Sequence, residues 1–517
     1  MKKTFFLAGL AALALAGPAD AAAQAPAPGA APSAEALEAS RAAVAAADIR
    51  RLLTDRGYAA GILAHIDRLA PVAENDLEFS LALDNVRLFA LAGLDRSEEL
   101  RATIDRTLAR RPTRAAFYGG PWMAALSLTD VDRALAVVET ASRNVAGVGW
   151  PELREFLDRE TVGALLQHFH SEHQEAKRVR LAAALFRIGW PGGDDKESAD
   201  FLRTILMADR LRERDTAAAA DFAAGISTPA HVLPMLVQTR YDSVLAPGRD
   251  RLELLQASLA ERDRDTAEAL AGTPQAQRRV LDRAQYLRSL GRNEEALALL
   301  QPFNRDVAAT VAAGEHGMWL VNESAYALLA LGRNDEAVAV MRRLVALPIA
   351  ANTALIAPAI NHAEILAEAG RYQEALDHAR ALERDSAQYA NDYGKAWISA
   401  AIVCALAGLD RSAEAAPELE RLRGQSEINP AAATRAFLCV GDDDSAAALM
   451  VRRLQSDEPD SAILALQDYT LSRGTAQQGP LYRRLTALRD RPAVHAALGR
   501  VGRVMALPLA RTYWGDF

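Results

Sequence analysis

A seven-residue phrase recurs along this chain and leaves few folds open to it. Leu290-Gly291-Arg292-Asn293-Glu294-Glu295-Ala296 returns as Leu331-Gly332-Arg333-Asn334-Asp335-Glu336-Ala337. It returns again as Ala369-Gly370-Arg371-Tyr372-Gln373-Glu374-Ala375, and more weakly as Ala407-Gly408-Leu409-Asp410-Arg411-Ser412-Ala413. The glycines stand 41, 38 and 38 residues apart. Self-similarity at such a period belongs to stacked repeats, whose units bury their apolar faces only against neighbours. Each unit reads as two helices joined at the glycine, where a left-handed residue is cheapest. A small residue seven positions before the glycine (Ala284, Ala325, Ala363, Ala401) lets the first helix approach its partner. The alanine five positions after it (Ala296, Ala337, Ala375, Ala413) does the same for the second helix.

The rest of the chain agrees with an all-α array. Hydrophobic residues make up 50% of 517 and aromatics only 6%. No run of alternating β-branched residues is bounded by tight turns, so strands are not expected. The formal net charge of −8 lacks the electrostatic footprint of a nucleic-acid binder. Of 59 basic residues only Lys2, Lys3, Lys177, Lys196 and Lys395 are lysines; the arginine excess reads as coding bias rather than phosphate recognition.

The first residues read as an address rather than as fold. Lys2-Lys3 is followed by an apolar stretch from Phe5 to Ala16, too short to span a bilayer, and then by small residues suited to cleavage near Ala21. Residues 1–21 are therefore expected to be a secretory signal peptide and the mature protein to be periplasmic, with no membrane insertion after cleavage. Residues 22–34 form a low-complexity leader rich in Ala and Pro. Residues 35–247 hold helical hairpins in irregular form, with a turn near Gly93 and breaks at Gly119-Gly120-Pro121, Gly149-Trp150-Pro151 and Gly189-Trp190-Pro191. A subdivision is expected near Pro247. Residues 248–425 carry the regular array, and 426–517 a last hairpin, turning at Gly441, with helices that cap the stack.

The array resembles the tetratricopeptide repeat (TPR) family. The match is strongest over residues 318–348, through Ala325, Leu328, Gly332, Ala337 and Pro348; it is good at Gly291 and Gly370 and partial at Gly408 and Gly441. Pro417 departs from the pattern, so that the second helix there is expected to begin near Ala416. The resemblance implies a right-handed α-solenoid, a TPR-like superhelix of stacked hairpins. Its concave groove, lined by the first helix of each pair, would hold a protein or peptide partner.

By that resemblance the groove residues are Trp319, Asn322 and Tyr326 on one first helix, Asn361 and Glu364 on the next, and Lys395 on the third. Asn361 and Lys395 fall where carboxylate-clamp members of the family carry an asparagine and a lysine. Asn322 and Tyr326 stand where those members carry lysine and asparagine, and Ser399 replaces a basic residue, so the clamp is incomplete. What remains is an amide pair beside an ammonium, suited to a peptide backbone or an anion; the plainer alternative is a solvated helix face. Tyr326 and Asn361 are expected to be exposed, and Trp397 and Phe437 to be core.

Other constellations are weaker. His168, His170 and His173 crowd one segment, but no single helical face collects all three, so no metal is expected. Cys404 and Cys439 permit a disulfide in an exported chain. Their offsets, four and two residues before Gly408 and Gly441, point in different directions and favour two buried small hydrophobes instead. There is no nucleophile elbow, phosphate loop or dinucleotide fingerprint, and no cofactor is expected. The sequence thus reads as a non-catalytic, partner-binding scaffold of the bacterial cell envelope. The rival is a periplasmic enzyme or glycan-binding protein with its site in the irregular N-terminal region.

Overall fold

The computed structural model describes residues 33–145, 153, 156–191, 195–245, 248, 250–273, 276–472 and 480–511. The signal segment 1–21, Gly149-Trp150-Pro151 and Pro247 lie outside the described residues. The fold is all-α, built from antiparallel helical hairpins, and divides into two compact units, 1–226 and 227–517. Helix Pro229–Val237 therefore belongs with the second unit, ahead of the subdivision expected near Pro247.

In the first unit, helices Ala34–Ala45, Ile49–Thr54 and Arg56–Ala73 precede four hairpins. These pair Leu77–Gly93 with Ser97–Ala109, Gly119–Ser127 with Val131–Asn144, Arg159–Ser171 with Glu175–Arg187, and Lys196–Arg212 with Thr216–Ala224. Gly119-Gly120-Pro121, read as a break, instead opens a helix, with Pro121 in the first turn where a missing N–H costs nothing. Between the helices of each pair one residue is left-handed: Asp95, Thr129, His173 and Arg214, with φ of 59°, 54°, 54° and 63°. The amide of the residue after it bonds the carbonyl five positions before it, at 2.7–3.0 Å, as in Arg96 N–H to Leu91 O and Gln174 N–H to Phe169 O. This closure satisfies carbonyls that a helix end leaves orphaned.

The second unit repeats that device. Gly291, Gly332, Gly370 and Gly441 have φ between 69° and 77°, and the same bond closes each turn, for example Arg333 N–H to Leu328 O at 2.8 Å. The hairpins pair Gln277–Ser289 with Asn293–Leu300, Gly317–Ala330 with Asn334–Val345, Ile356–Glu368 with Tyr372–Asp385, Asp392–Gly408 with Ala416–Gly424, and Pro430–Val440 with Asp443–Leu454. Ala284, Ala325, Ala363 and Ala401 are buried, as are Trp397 and Phe437. Pro417 lies in the first turn of Ala416–Gly424, as expected.

One turn departs from the expected register. Gly408 ends its helix in an ordinary conformation, and a Cβ there would meet the Tyr372 ring at 2.3 Å; the left-handed residue is Asp410, φ 58°. The repeat is therefore two residues out at this unit. Ala413 is exposed and Ala415 takes the buried alanine position. The shift also explains the cysteines. Counted from Asp410 and Gly441, Cys404 and Cys439 stand six and two residues ahead, one helical turn apart in phase, so both point the same way. They form a disulfide, with Cα atoms 5.0 Å apart, joining successive first helices. The expectation of two unpaired cysteines is thus corrected.

Arginine also plays a part that coding bias does not explain. The residue after the left-handed position is arginine at five turns, and at four of them its guanidinium forks onto the glutamate three residues on: Arg96 to Glu99, Arg292 to Glu295, Arg333 to Glu336 and Arg411 to Glu414, all at 2.5–2.8 Å. Three of these arginines also reach back to the preceding helical element, Arg292 to Asp263 at 3.2 Å, Arg333 to Glu294 at 4.0 Å, and Arg371, the fifth, to Asp335 at 2.6 Å. A planar fork can hold two carboxylates at once, which a lysine ammonium does less well.

The C-terminal helices do more than cap. After Asp460–Ala465, Pro480–Arg489 and Pro492–Val501, the chain runs back to the start of the second unit. Arg503 N–H bonds Val237 O at 2.8 Å, its guanidinium bonds Asp242 at 2.6 Å, and Gln238 bridges Gly502. Ala510 N–H bonds Ser289 O at 2.8 Å. A short parallel pair, Asp468 with Ala506 and Tyr469 with Leu507, adds strand where none was expected. The second unit is therefore closed on itself. No described helix is long and apolar enough to cross a membrane.

Candidate partner-binding site

The polar residues of the array meet on the first helices of successive hairpins, which pack against one another. Asn322 sits mid-helix in Gly317–Ala330 and is 2% exposed; Asn361, half-buried, lies on Ile356–Glu368. Asn361 Nδ2 donates to Asn322 Oδ1 at 3.1 Å. This bond uses one donor and one acceptor. The pair retains the Asn322 amide N–H groups and the Asn361 carbonyl, the valences that a peptide backbone presents in reverse.

Tyr326, one turn from Asn322, is half-buried rather than exposed. The Arg288 guanidinium lies 5.1 Å from its ring centre, a cation–π contact made from the preceding first helix. Arg288 itself is buried and pairs with Glu323. Trp319, also half-buried, packs against apolar clusters on both sides, among them Leu320, Val321 and Leu300. Glu364 is 6% exposed and faces Arg435 at 3.6 Å; Arg435 also reaches Glu368 at 3.3 Å. Burial pushes the Glu364 carboxyl above the ordinary range, with Arg435 opposing and Glu368 reinforcing that shift.

Two expectations change here. Tyr326 and Asn361 are not freely exposed, and Asn322 and Glu364 are buried, because the first helices are covered by neighbours on more than one side. Lys395 does not join them. With the turn at Asp410, the position to which Lys395 was matched belongs to Trp397. Lys395 is exposed and pairs with Asp392 of its own helix at 3.0 Å.

Arg288, Glu323, Arg435 and Glu368 escaped the sequence reading. Nothing local sets them apart from the other polar residues of their helices: Glu323 stands between Asn322 and Ser324, and Arg288 shares its helix with Arg278, Arg279 and Arg283. Outside the array, His173 is the left-handed turn residue after Arg159–Ser171, so it shares no helical face with His170. His170 Nδ1 lies 3.1 Å from Arg178 Nη1. Among the described residues no group of three or more His, Cys, Asp or Glu is placed to hold a metal.

No family model matches the chain, and no curated protein matches it. Among solved structures, the chain is similar to one described as the crystal structure of the APC/C hetero-tetramer Cut9-Hcn1. Identity is 12% with 87% of this chain and 93% of that chain covered, and the TM-score is 0.27. It is also similar to the structure of Naa15/Naa10 bound to HypK-THB, at 12% identity over 90% of this chain and 77% of that one, with a TM-score of 0.21. Scores of this size fix no fold, and the all-α stack rests on the helices described above.

Proposed function

We propose that the chain is a non-catalytic scaffold of the bacterial cell envelope that binds a protein or peptide through the first helices of its TPR-like array. The observation that carries this reading is the Asn322–Asn361 amide pair, flanked by the half-buried rings of Trp319 and Tyr326. Amide and aromatic groups on packed helices can bind an extended segment at low entropic cost, because the helices already hold them in place. Export through residues 1–21 is part of the same reading, and the Cys404–Cys439 bond supports it, since disulfides persist in oxidising compartments.

The test is capture from an envelope extract on the immobilised protein, compared with a Tyr326→Ala, Asn361→Ala variant. Loss of a defined captured protein, with the thermal midpoint still that of a folded chain, is the expected result. Full capture by the folded double variant would remove the first-helix face as the binding surface.

A further inference from the structure

On the hairpin that carries Asn361 and Glu364, two histidines meet inside the helix–helix seam. His362, 3% exposed, projects from Ile356–Glu368, and His378, half-buried, from Tyr372–Asp385. Their rings stand edge to face, 4.9 Å between centres at 72°. His378 Nε2 lies 2.8 Å from the Ala359 carbonyl, so that nitrogen carries the hydrogen and donates. His362 Nδ1 is buried without a hydrogen-bond partner. Two neutral imidazoles suit this seam. Two imidazolium ions would place like charges at 4.9 Å in an apolar contact.

Among the described residues no carboxylate pairs with either ring, and Glu374, one turn before His378, is taken by Arg342. From helix Asn334–Val345 the charged group that faces the pair is Arg342, which repels further positive charge and is itself held by Glu374. On their own helices, Glu364 and Glu368 face Arg435, and Asp377 accepts from Gln373. Helix Gly317–Ala330 offers only Glu323, taken by Arg288, and helix Asp392–Gly408 only Asp392 and Lys395, paired with each other.

We propose that the His362–His378 contact makes the hairpin 356–385 an acid-sensitive joint, shut while both rings are neutral and opened locally when they take up protons, so that acid displaces the helix bearing Asn361 and Glu364. This goes beyond the binding reading and does not depend on it. Burial holds the His362 ring far below its usual range, at about 3, with His378 and Arg342 adding to the effect; burial lowers His378 as well. A histidine whose folded value lies below its unfolded value stabilises the closed form fully above about pH 6.5 and loses that stabilisation as pH falls. For one such ring, opening becomes about 30-fold more favourable between pH 8 and pH 5.

Hydrogen exchange on the full chain, corrected for intrinsic rates, reads this directly. Protection in 356–368 and 372–385 should fall at least about 30-fold from pH 8 to pH 5, while Gly317–Ala330 changes little. In a His362→Phe, His378→Gln variant, which keeps a ring at position 362 and a donor for Ala359 O, that fall should shrink to roughly threefold or less. Equal pH sensitivity in the variant, or an equal loss across every helix of the second unit, overturns the proposal. Should the variant fail to fold, NMR titration of the wild-type rings decides: either buried ring titrating near 6.5 in the native protein rules the joint out, and both titrating well below it support it.

Discussion

Removing the Cys404–Cys439 bond should weaken the second unit more than any single surface change. The bond joins helix Asp392–Gly408 to helix Pro430–Val440 across a separation of 35 residues, passing over helix Ala416–Gly424. In the chain-entropy account, closing a loop of 35 residues withholds about 4 kcal/mol of disorder from the unfolded ensemble at 25 °C. Residual structure in that ensemble reduces the effect, so a loss of about 3–4 kcal/mol is expected for Cys404→Ala, Cys439→Ala. With a urea slope of about 3 kcal/mol/M, the midpoint of the second unit should move down by roughly 1 M. The assay is urea unfolding of the full chain in the oxidised, reduced and double-alanine forms, with native thiols counted in parallel. The reduced form should fall close to the variant. Two free thiols in the native oxidised protein, or three coincident transitions, would mean that no such bond stabilises the folded chain.

Other outcomes follow from the same structure. Gly332→Val places a β-branched residue at φ 73° where nothing lies within 4 Å of the new Cβ, so the cost is backbone strain alone, on the order of 1–3 kcal/mol, read as lost exchange protection in the flanking helices. Asp410→Gly should leave stability unchanged or raise it by up to about 1 kcal/mol, because the left-handed position is already built; a large loss would mean that the turn is misplaced. Gly93→Ala should loosen helix Ile49–Thr54, since its Cβ would fall 1.9 Å from the Leu52 carbonyl oxygen; unchanged protection of residues 49–54 would count against that packing. Arg435→Met strands Glu364 wherever its buried carboxyl is ionised, and should there cost on the order of 3–5 kcal/mol. Losing Arg435 raises the carboxyl further, so the deficit is full above the variant's value and shrinks as pH falls from there through the wild-type one, because protonated Glu364 carries no charge to strand; thermal midpoints of variant and wild type that diverge on acidification would contradict it.

Much of the array was legible because Gly291, Gly332, Gly370 and Gly441 mark its turns with the residue for which a left-handed conformation is cheapest. The first unit was harder to read because Asp95, Thr129, His173 and Arg214 occupy the same position. Once the closing bond of the turn forms, it helps to offset the cost of a Cβ there, and the glycine signal disappears. Asp410 shows what that hides. Reading Gly408 as the turn shifted one repeat by two residues, and the misplacement of Ala413, of Lys395 and of the two cysteines all descends from that shift. In the site, Asn322, Tyr326, Asn361 and Glu364 do lie on packed first helices. Their burial and their partners Arg288 and Arg435 depend on contacts between elements up to about two repeats apart, which no local pattern records. The return of Arg503 to Val237 and Asp242 is longer still in sequence and left no trace in the repeat.

Site-specific photocrosslinking in the native envelope reads whether the first-helix face around Asn322 and Asn361 holds a protein partner. A benzophenone side chain placed at Trp319 keeps an aromatic group on that face, and one placed at Glu336, an exposed residue of helix Asn334–Val345, samples the second helices instead. A discrete protein adduct is expected from position 319, disappearing in the Asn361→Ala background, and none from position 336. An adduct from position 336 alone, or one from 319 that Asn361→Ala leaves unchanged, would contradict binding at that face.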